Sequence, residues 1–210
     1  MNRIPRFPIY VFDLDGTLVD SAADICGAIR QVLLGTPQCP PVTEEFLRRY
    51  IGLHLLELFQ DLGFPPEQID SLITEYRAIY PARCHAGTRI YQGVLEALPA
   101  LGGRKSTATT KSTATTRAVL EQFGLLLFFD HVQGTDSFPA KPQPDVIFAA
   151  LRGLGAEPSD CLFVGDSPAD MEAGRRAGVK TCAVRYGYGQ QEALRRAKPD
   201  YWVDDLRQLI

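Results

Sequence analysis

The chain has 210 residues with 22 Lys and Arg against 25 Asp and Glu, and this near balance leaves no footprint for a nucleic acid. No apolar run approaches the roughly 18 residues a membrane span requires, and residues 1–8 carry two arginines and no apolar secretory stretch. Five cysteines, Cys26, Cys39, Cys84, Cys161 and Cys182, are scattered without a C-x-x-C pair, so reduced, mostly buried thiols and a cytoplasmic location are expected.

Ile9-Tyr10-Val11-Phe12 reads as a short strand buried on both faces. It ends on Asp13 and Asp15, followed by Gly16 and Thr17, where the chain must turn. Ligands gather at the carboxyl ends of strands in open α/β sheets. Residues at i and i+2 share one side of an extended chain, so the two anions repel unless a cation lies between them or one holds a proton. A turn built from good turn formers is the plainer alternative.

Asp20-Ser21 can cap a helix from Ala22 to Leu34 with Ile25, Ile29, Val32 and Leu33 on one face. The Pro-rich stretch Gly35 to Val42 is expected as a loop. Helical patterns then follow from Thr43, from Leu53 to Leu62 and from Pro65 to Tyr80, punctuated by Gly52, Gly63 and Pro65-Pro66. No strand is expected between Ser21 and Gly87. An all-helical block after the first strand of an α/β pattern implies an inserted module: a helical cap over 20–88, with the core made of 1–19 and 89–210.

Beyond it a helix is expected over Gly93 to Leu101, then a strand. The residues present there are Lys105-Ser106-Thr107-Ala108-Thr109-Thr110, repeated unchanged from Lys111 to Thr116. Threonine suits strands, so a central strand is placed at Lys105 to Thr109, where its polarity conflicts with burial. A helix from Ser112 to Phe123 stops at Gly124. A short strand at His131 to Gly134 leads to Lys141-Pro142, and a helix runs from Pro144-Asp145 to Gly153. Cys161 to Val164 is the next buried strand, ending at Gly165-Asp166-Ser167-Pro168-Ala169-Asp170. A helix from Pro168 to Ala177, a strand from Val179 to Val184, a helix from Gln190 to Ala197 and a strand at Tyr201 to Val203 close the chain. The alternation predicts an α/β fold with a doubly wound parallel sheet.

Four strand ends thus carry Asp13 with Asp15, Thr109 with Thr110, Lys141, and Asp166 with Asp170 on one sheet edge. Chemically this is a set for magnesium-dependent phosphoryl transfer. Asp13, Asp166 and the Asp15 carbonyl can hold a hard cation. Lys141 and a Thr109 hydroxyl can neutralise the phosphoryl oxygens, and a carboxylate can then attack phosphorus. Each residue alone has a plainer role: Asp166 a helix cap, Lys141 a solvated loop lysine, Asp170 a partner of the helix dipole.

The segments D-L-D-G-T-L-V-D-S at Asp13 to Ser21, Thr109, K-P at Lys141-Pro142 and G-D-S-x-x-D at Gly165 to Asp170 resemble, in order and spacing, the four motifs of the haloacid dehalogenase (HAD) superfamily. The resemblance is strongest to phosphoglycolate phosphatase-like members with a helical cap. It implies Asp13 as nucleophile, Asp15 as general acid and then base, and Thr109, Thr110 and Lys141 as phosphate ligands. It further implies Asp13, Asp15 through its carbonyl, and Asp166 as Mg²⁺ ligands, supported by Asp170. The duplication leaves Thr115 as a rival of Thr109; Thr109 is preferred because about three helical turns then fit before Phe123. Arg48, Arg49, Gly52 and His54 surround a break between cap helices and could meet the substrate, with a solvated helix face as the alternative. His85 and His131 read as structural.

The leading reading is a Mg²⁺-dependent phosphatase acting on a small phosphorylated metabolite, with 2-phosphoglycolate as the candidate. A sugar phosphomutase or a pyrophosphatase would keep the same acids, and a non-catalytic phospho-receiver would be shorter and lack the helical insertion. No nucleic-acid or membrane partner is expected, and the sequence leaves the oligomeric state open.

Overall fold

The computed structural model describes residues 4–36 and 41–210, so Cys39 and the middle of the loop expected at 35–42 lie outside the described residues. Its strands are β1 (Ile9–Phe12), β2 (Val19–Asp20), β3 (Arg89–Ile90), β4 (Arg104–Thr107), β5 (Cys161–Gly165), β6 (Lys180–Val184) and β7 (Tyr201–Val203). The helices are α1 (Ala22–Leu34), α2 (Glu44–Arg48), α3 (Leu55–Asp61), α4 (Pro66–Ala82), α5 (Val94–Ala100), α6 (Thr113–Gln122), α7 (Asp145–Leu154), α8 (Pro168–Ala177) and α9 (Gln191–Ala197).

β1 is apolar on both sides because both sides are covered. Tyr10 and Phe12 pack with Val94, Leu98 and Leu120 of α5 and α6, whereas Ile9 and Val11 pack with Ile147 and Leu151 of α7 and Ala173 of α8. The sheet is five-stranded in the order β4-β1-β5-β6-β7. β1 pairs in parallel with β4 and β5, with Phe12 opposite Thr107 and Val164. Parallel pairing brings the carboxyl ends of these three strands to one edge, and the acids follow there.

Two sequence expectations need correction. β4 is the outermost of the five named strands, not a central one, and His131 to Gly134 forms only two isolated bridges, Ser106 to His131 and Thr109 to Gly134. The reason lies in Thr107, whose hydroxyl donates to the Gln133 carbonyl at 2.9 Å and accepts from the Gln133 N–H at 2.9 Å. A side chain thus occupies the backbone groups that a regular ladder would have used. The other polar groups of β4 are also satisfied: Ser106 donates to the Thr107 carbonyl at 3.1 Å, and Lys105 Nζ donates to the Leu101 carbonyl at 2.7 Å.

Helices α1 to α4 share their own apolar cluster, with Ile29 and Val32 of α1 against Phe59 of α3 and Ile69 and Ile73 of α4. The chain leaves the core through β2 and returns through β3, an antiparallel pair of two residues each. Strands this short carry no readable period. Ser21 precedes α1 without capping it, because its hydroxyl is committed to Asp15, while Asp20 Oδ1 accepts from the Ala22 N–H at 3.3 Å. α3 starts at Leu55, later than expected, because the His54 ring accepts from the Leu56 N–H at 3.1 Å and caps it.

Candidate active site

The ammonium of Lys141 stands at the centre of the acidic edge. It contacts Asp13 Oδ1 at 2.9 Å, Asp170 Oδ1 at 2.5 Å and the Ala108 carbonyl at 3.2 Å, which uses all three of its donors. Burial opposes a charge on this lysine, but Asp13 and Asp170 outweigh it and hold the group protonated. Asp170 has both oxygens occupied, because Oδ2 accepts from the Ser167 hydroxyl at 2.6 Å and from the Ser167 and Asp166 amides at 2.9 and 3.2 Å. That capping box fixes the start of α8 and, with it, the position of Lys141.

Carboxylate oxygens of Asp13, Asp166 and Asp170 lie within 4.8 Å of one another, all buried. Three carboxylates against one ammonium leave an excess of negative charge. Burial, opposed by Lys141 and reinforced by Asp170, pushes Asp13 up to about 7. Burial and the neighbouring Asp170 and Asp13 carry Asp166 well above the usual carboxylate range. The described hydrogen bonds leave Oδ2 of Asp13 and Oδ1 of Asp166 over, since Lys141 takes the first residue's other oxygen and the Tyr188 amide, at 2.7 Å, takes the second's. Two free hard oxygens in an over-acidic, buried site fit a divalent cation of the magnesium class. Gly16 has φ +86°, and a Cβ there would lie 2.2 Å from Asp166 Oδ2, so only glycine lets the turn pass this close.

The Asp15 carboxylate faces elsewhere. Its Oδ1 accepts from the Ser21 hydroxyl at 2.5 Å, and its Oδ2 lies 3.1 Å from Lys111 Nζ. Lys111 also donates to the Tyr80 hydroxyl of α4 at 3.2 Å. Burial works against its charge, and Asp15 with the tyrosines overcomes that. Tyr188 ties the two halves of the site together. Its amide holds Asp166, while its hydroxyl donates to Asp20 at 2.7 Å and accepts from the Ser21 amide at 2.8 Å.

Thr109 is buried just beyond β4, and its hydroxyl accepts from the Lys111 amide at 3.4 Å. Thr110 donates to the Gly52 carbonyl at 3.2 Å, joining the core to the helical layer. Thr115 lies on the first turn of α6, with its hydroxyl accepting from Ser112 at 2.9 Å. A cavity of about 420 Å³ opens between these residues and the helices, with Asp15, Thr110, Lys111, Gly52 and His54 in its walls. Arg48 and Arg49 lie outside it, each paired at 3.0 Å with Glu44 or Glu45, and line a separate groove beside Ser167 and Tyr188.

Lys111, Ser21 and Tyr188 escaped the sequence reading in these roles. Lys111 was hidden as the copy of Lys105, and Ser21 read as a helix cap. For Tyr188, in the glycine-spaced loop after β6, no local signal existed.

Three comparisons bear on this arrangement. A profile of the haloacid dehalogenase-like hydrolases matches residues 10–184. Phosphoglycolate phosphatase 1 of Pseudomonas aeruginosa is 32% identical over 221 residues, covering 100% of this chain and 80% of that one. N-acetylmuramic acid 6-phosphate phosphatase of the same species is 32% identical over 227 residues, covering 100% and 96%. Among solved structures, a haloacid dehalogenase-like family protein from Streptococcus pneumoniae superimposes with a TM-score of 0.88 at 27% identity, covering 97% and 96% of the two chains. One from Haemophilus somnus, described as a predicted phosphoglycolate phosphatase, gives 0.85 at 28% identity over 97% and 96%. With its parallel sheet, its acids at the strand ends and its helical insertion, the chain belongs to the haloacid dehalogenase-like hydrolase family, on the phosphoglycolate phosphatase-like branch.

Proposed function

We propose that the chain is a magnesium-dependent phosphatase that hydrolyses a small phosphorylated metabolite through a phosphoryl group carried on Asp13, with residues 20–88 acting as its cap. The carrying observation is the pair of opposed environments one residue apart: Asp13 in the over-acidic cluster with Lys141, and Asp15 facing the cavity with Lys111.

A cation bound by Asp13, Asp166 and the Asp15 carbonyl would supply positive charge against the phosphoryl oxygens. Lys141 adds a fixed charge beside Asp13, and the Thr109 hydroxyl donates to a phosphoryl oxygen, with Thr110 next to it. An oxygen of Asp13 bonds to phosphorus as the ester P–O bond breaks, and Asp15 passes its proton to the departing oxygen, releasing an alcohol. Water then attacks phosphorus while Asp15 takes its proton, which frees inorganic phosphate and restores Asp13. Asp170 keeps Lys141 in place. Relatives named for phosphoglycolate and for N-acetylmuramic acid 6-phosphate support a small phosphomonoester as substrate, with 2-phosphoglycolate as the candidate.

The test is phosphate release from p-nitrophenyl phosphate and metabolite esters with Mg²⁺ and with chelator. Release that requires Mg²⁺ and disappears in a folded Asp13→Asn protein is expected; a tenth of the turnover left in that variant would remove Asp13 as nucleophile.

A further inference from the structure

Only Lys111 of the second hexamer copy meets the chemistry just described, through Asp15, yet other residues of that copy line the cavity as well. Ser112 and Thr115 of this copy line the cavity, together with Thr110 of the first copy, Thr135, Tyr50 and Tyr76. Asp13, Lys141 and Asp166 do not line this space, whereas Asp15 does. The phosphoryl group would sit at the acids, so most of the cavity of about 420 Å³ is left for the alcohol part of the ester. That is within the roughly 300–1,000 Å³ of pockets that enclose sizeable organic ligands. A two-carbon acid would leave most of it to water.

The walls also differ in kind. Thr115 accepts from Ser112, which leaves its own proton to donate, and Thr110 and Thr135 donate to carbonyls but keep acceptor lone pairs. The rings of Tyr50 and Tyr76 can cover C–H faces. A substrate carboxylate would want a dedicated cation shielded from water, but Lys111 is committed to Asp15 and Tyr80, and Arg77 lines the cavity at a solvent-exposed position where its charge is screened.

We infer that the second hexamer is a specificity wall, and that the cavity selects the monophosphate of a neutral, polyhydroxylated sugar over 2-phosphoglycolate. This rests on the phosphatase reading. The experiment measures kcat/KM with Mg²⁺ for glucose 6-phosphate, fructose 6-phosphate, ribose 5-phosphate, 2-phosphoglycolate and p-nitrophenyl phosphate. The best sugar phosphate is expected to exceed 2-phosphoglycolate at least tenfold. Thr115→Val is expected to lower that advantage at least fivefold through KM, and Thr115→Ser to restore it. If p-nitrophenyl phosphate is hydrolysed but 2-phosphoglycolate equals or outruns every sugar phosphate, the inference is overturned alone. Equal losses on all esters in Thr115→Val would also overturn it. If none of the esters is hydrolysed, the phosphatase reading falls and takes the inference with it.

Discussion

The two KSTATT hexamers are identical in sequence and different in everything else. Residues 105–110 supply most of β4 and the turn after it, and residues 111–116 supply the turn into α6 and its first residues. Ser106 is fully buried beside β1, whereas Ser112 is the N-cap of α6 and accepts from the Thr115 amide at 3.3 Å. Thr107 replaces a strand partner, while Thr113 donates to Asp136 at 2.6 Å. Lys105 turns back to the Leu101 and Gly103 carbonyls, whereas Lys111 reaches Asp15 and Tyr80. A six-residue segment with mixed propensities takes whichever structure its surroundings reward. Here β1 rewards the first copy, and Ser112 with Asp136 rewards the second.

Paired substitutions break this comparison most sharply at the threonines. Thr109→Val removes the proposed phosphoryl donor and is expected to lower kcat for p-nitrophenyl phosphate by about 10²–10³-fold with a small change in melting temperature. A larger loss in Thr115→Val than in Thr109→Val would move the phosphate ligand to the second copy.

The lysines come next. Lys111→Met leaves the Asp15 carboxylate buried without its cation, and removing one partner of a buried pair costs roughly 3–5 kcal/mol, with kcat lowered as Asp15 loses its position. Lys105→Met removes hydrogen bonds to carbonyls only, costs about 1 kcal/mol and leaves kcat as it was. Urea unfolding and steady-state rates on both variants read the difference.

The first copy touches the acidic cluster through the Ala108 carbonyl on Lys141, and that cluster carries a pH dependence of its own. Burial raises Asp13 from 3.8 to about 7 in the folded chain without a cation. Between those values the native state holds a proton that the unfolded chain has lost, so the stability of metal-free protein falls as pH rises through this window. A cation replaces that proton, so the gain in melting temperature from Mg²⁺ is expected to grow from pH 5 to pH 8. Asp13→Asn should flatten the dependence, and a flat profile in the wild type would remove the cation from this site.

The smallest effects belong to the serines. Ser112→Ala loses a helix cap and is expected to cost about 1 kcal/mol. Ser106→Ala gives up a hydrogen bond only to the next residue's carbonyl, so less than half of that loss is expected in the same unfolding experiment.

Much of this molecule was legible from residue order alone. That Asp13, Asp166 and Lys141 come together was readable because each follows a short apolar run or a turn, and parallel strands must deliver their ends to one edge. The bounds of α1, α8 and β7 could be read because apolar period, Pro168 at a helix start and flanking turns agree there. β2 and β3 could not be, because two residues cannot display a period, nor could the irregular stretch at 131–134, because its partner is the Thr107 side chain. Residues of the helical insertion were the hardest. Arg48 ends α2 and Arg49 caps it, where Glu44 and Glu45 satisfy them, while Tyr50 and Tyr76 line the cavity.

By itself the sequence determined the alternation of strands and helices, the helical insertion and the acids at the strand ends, because those follow from local period and chain order. Only the tertiary structure decided that one hexamer is strand and its twin helix, that Lys111 rather than Lys105 meets Asp15, and that Tyr188 joins Asp166 to Ser21. These depend on which groups, tens of residues away in the chain, are close enough to satisfy a buried charge or an open hydrogen bond, and local sequence does not encode that distance.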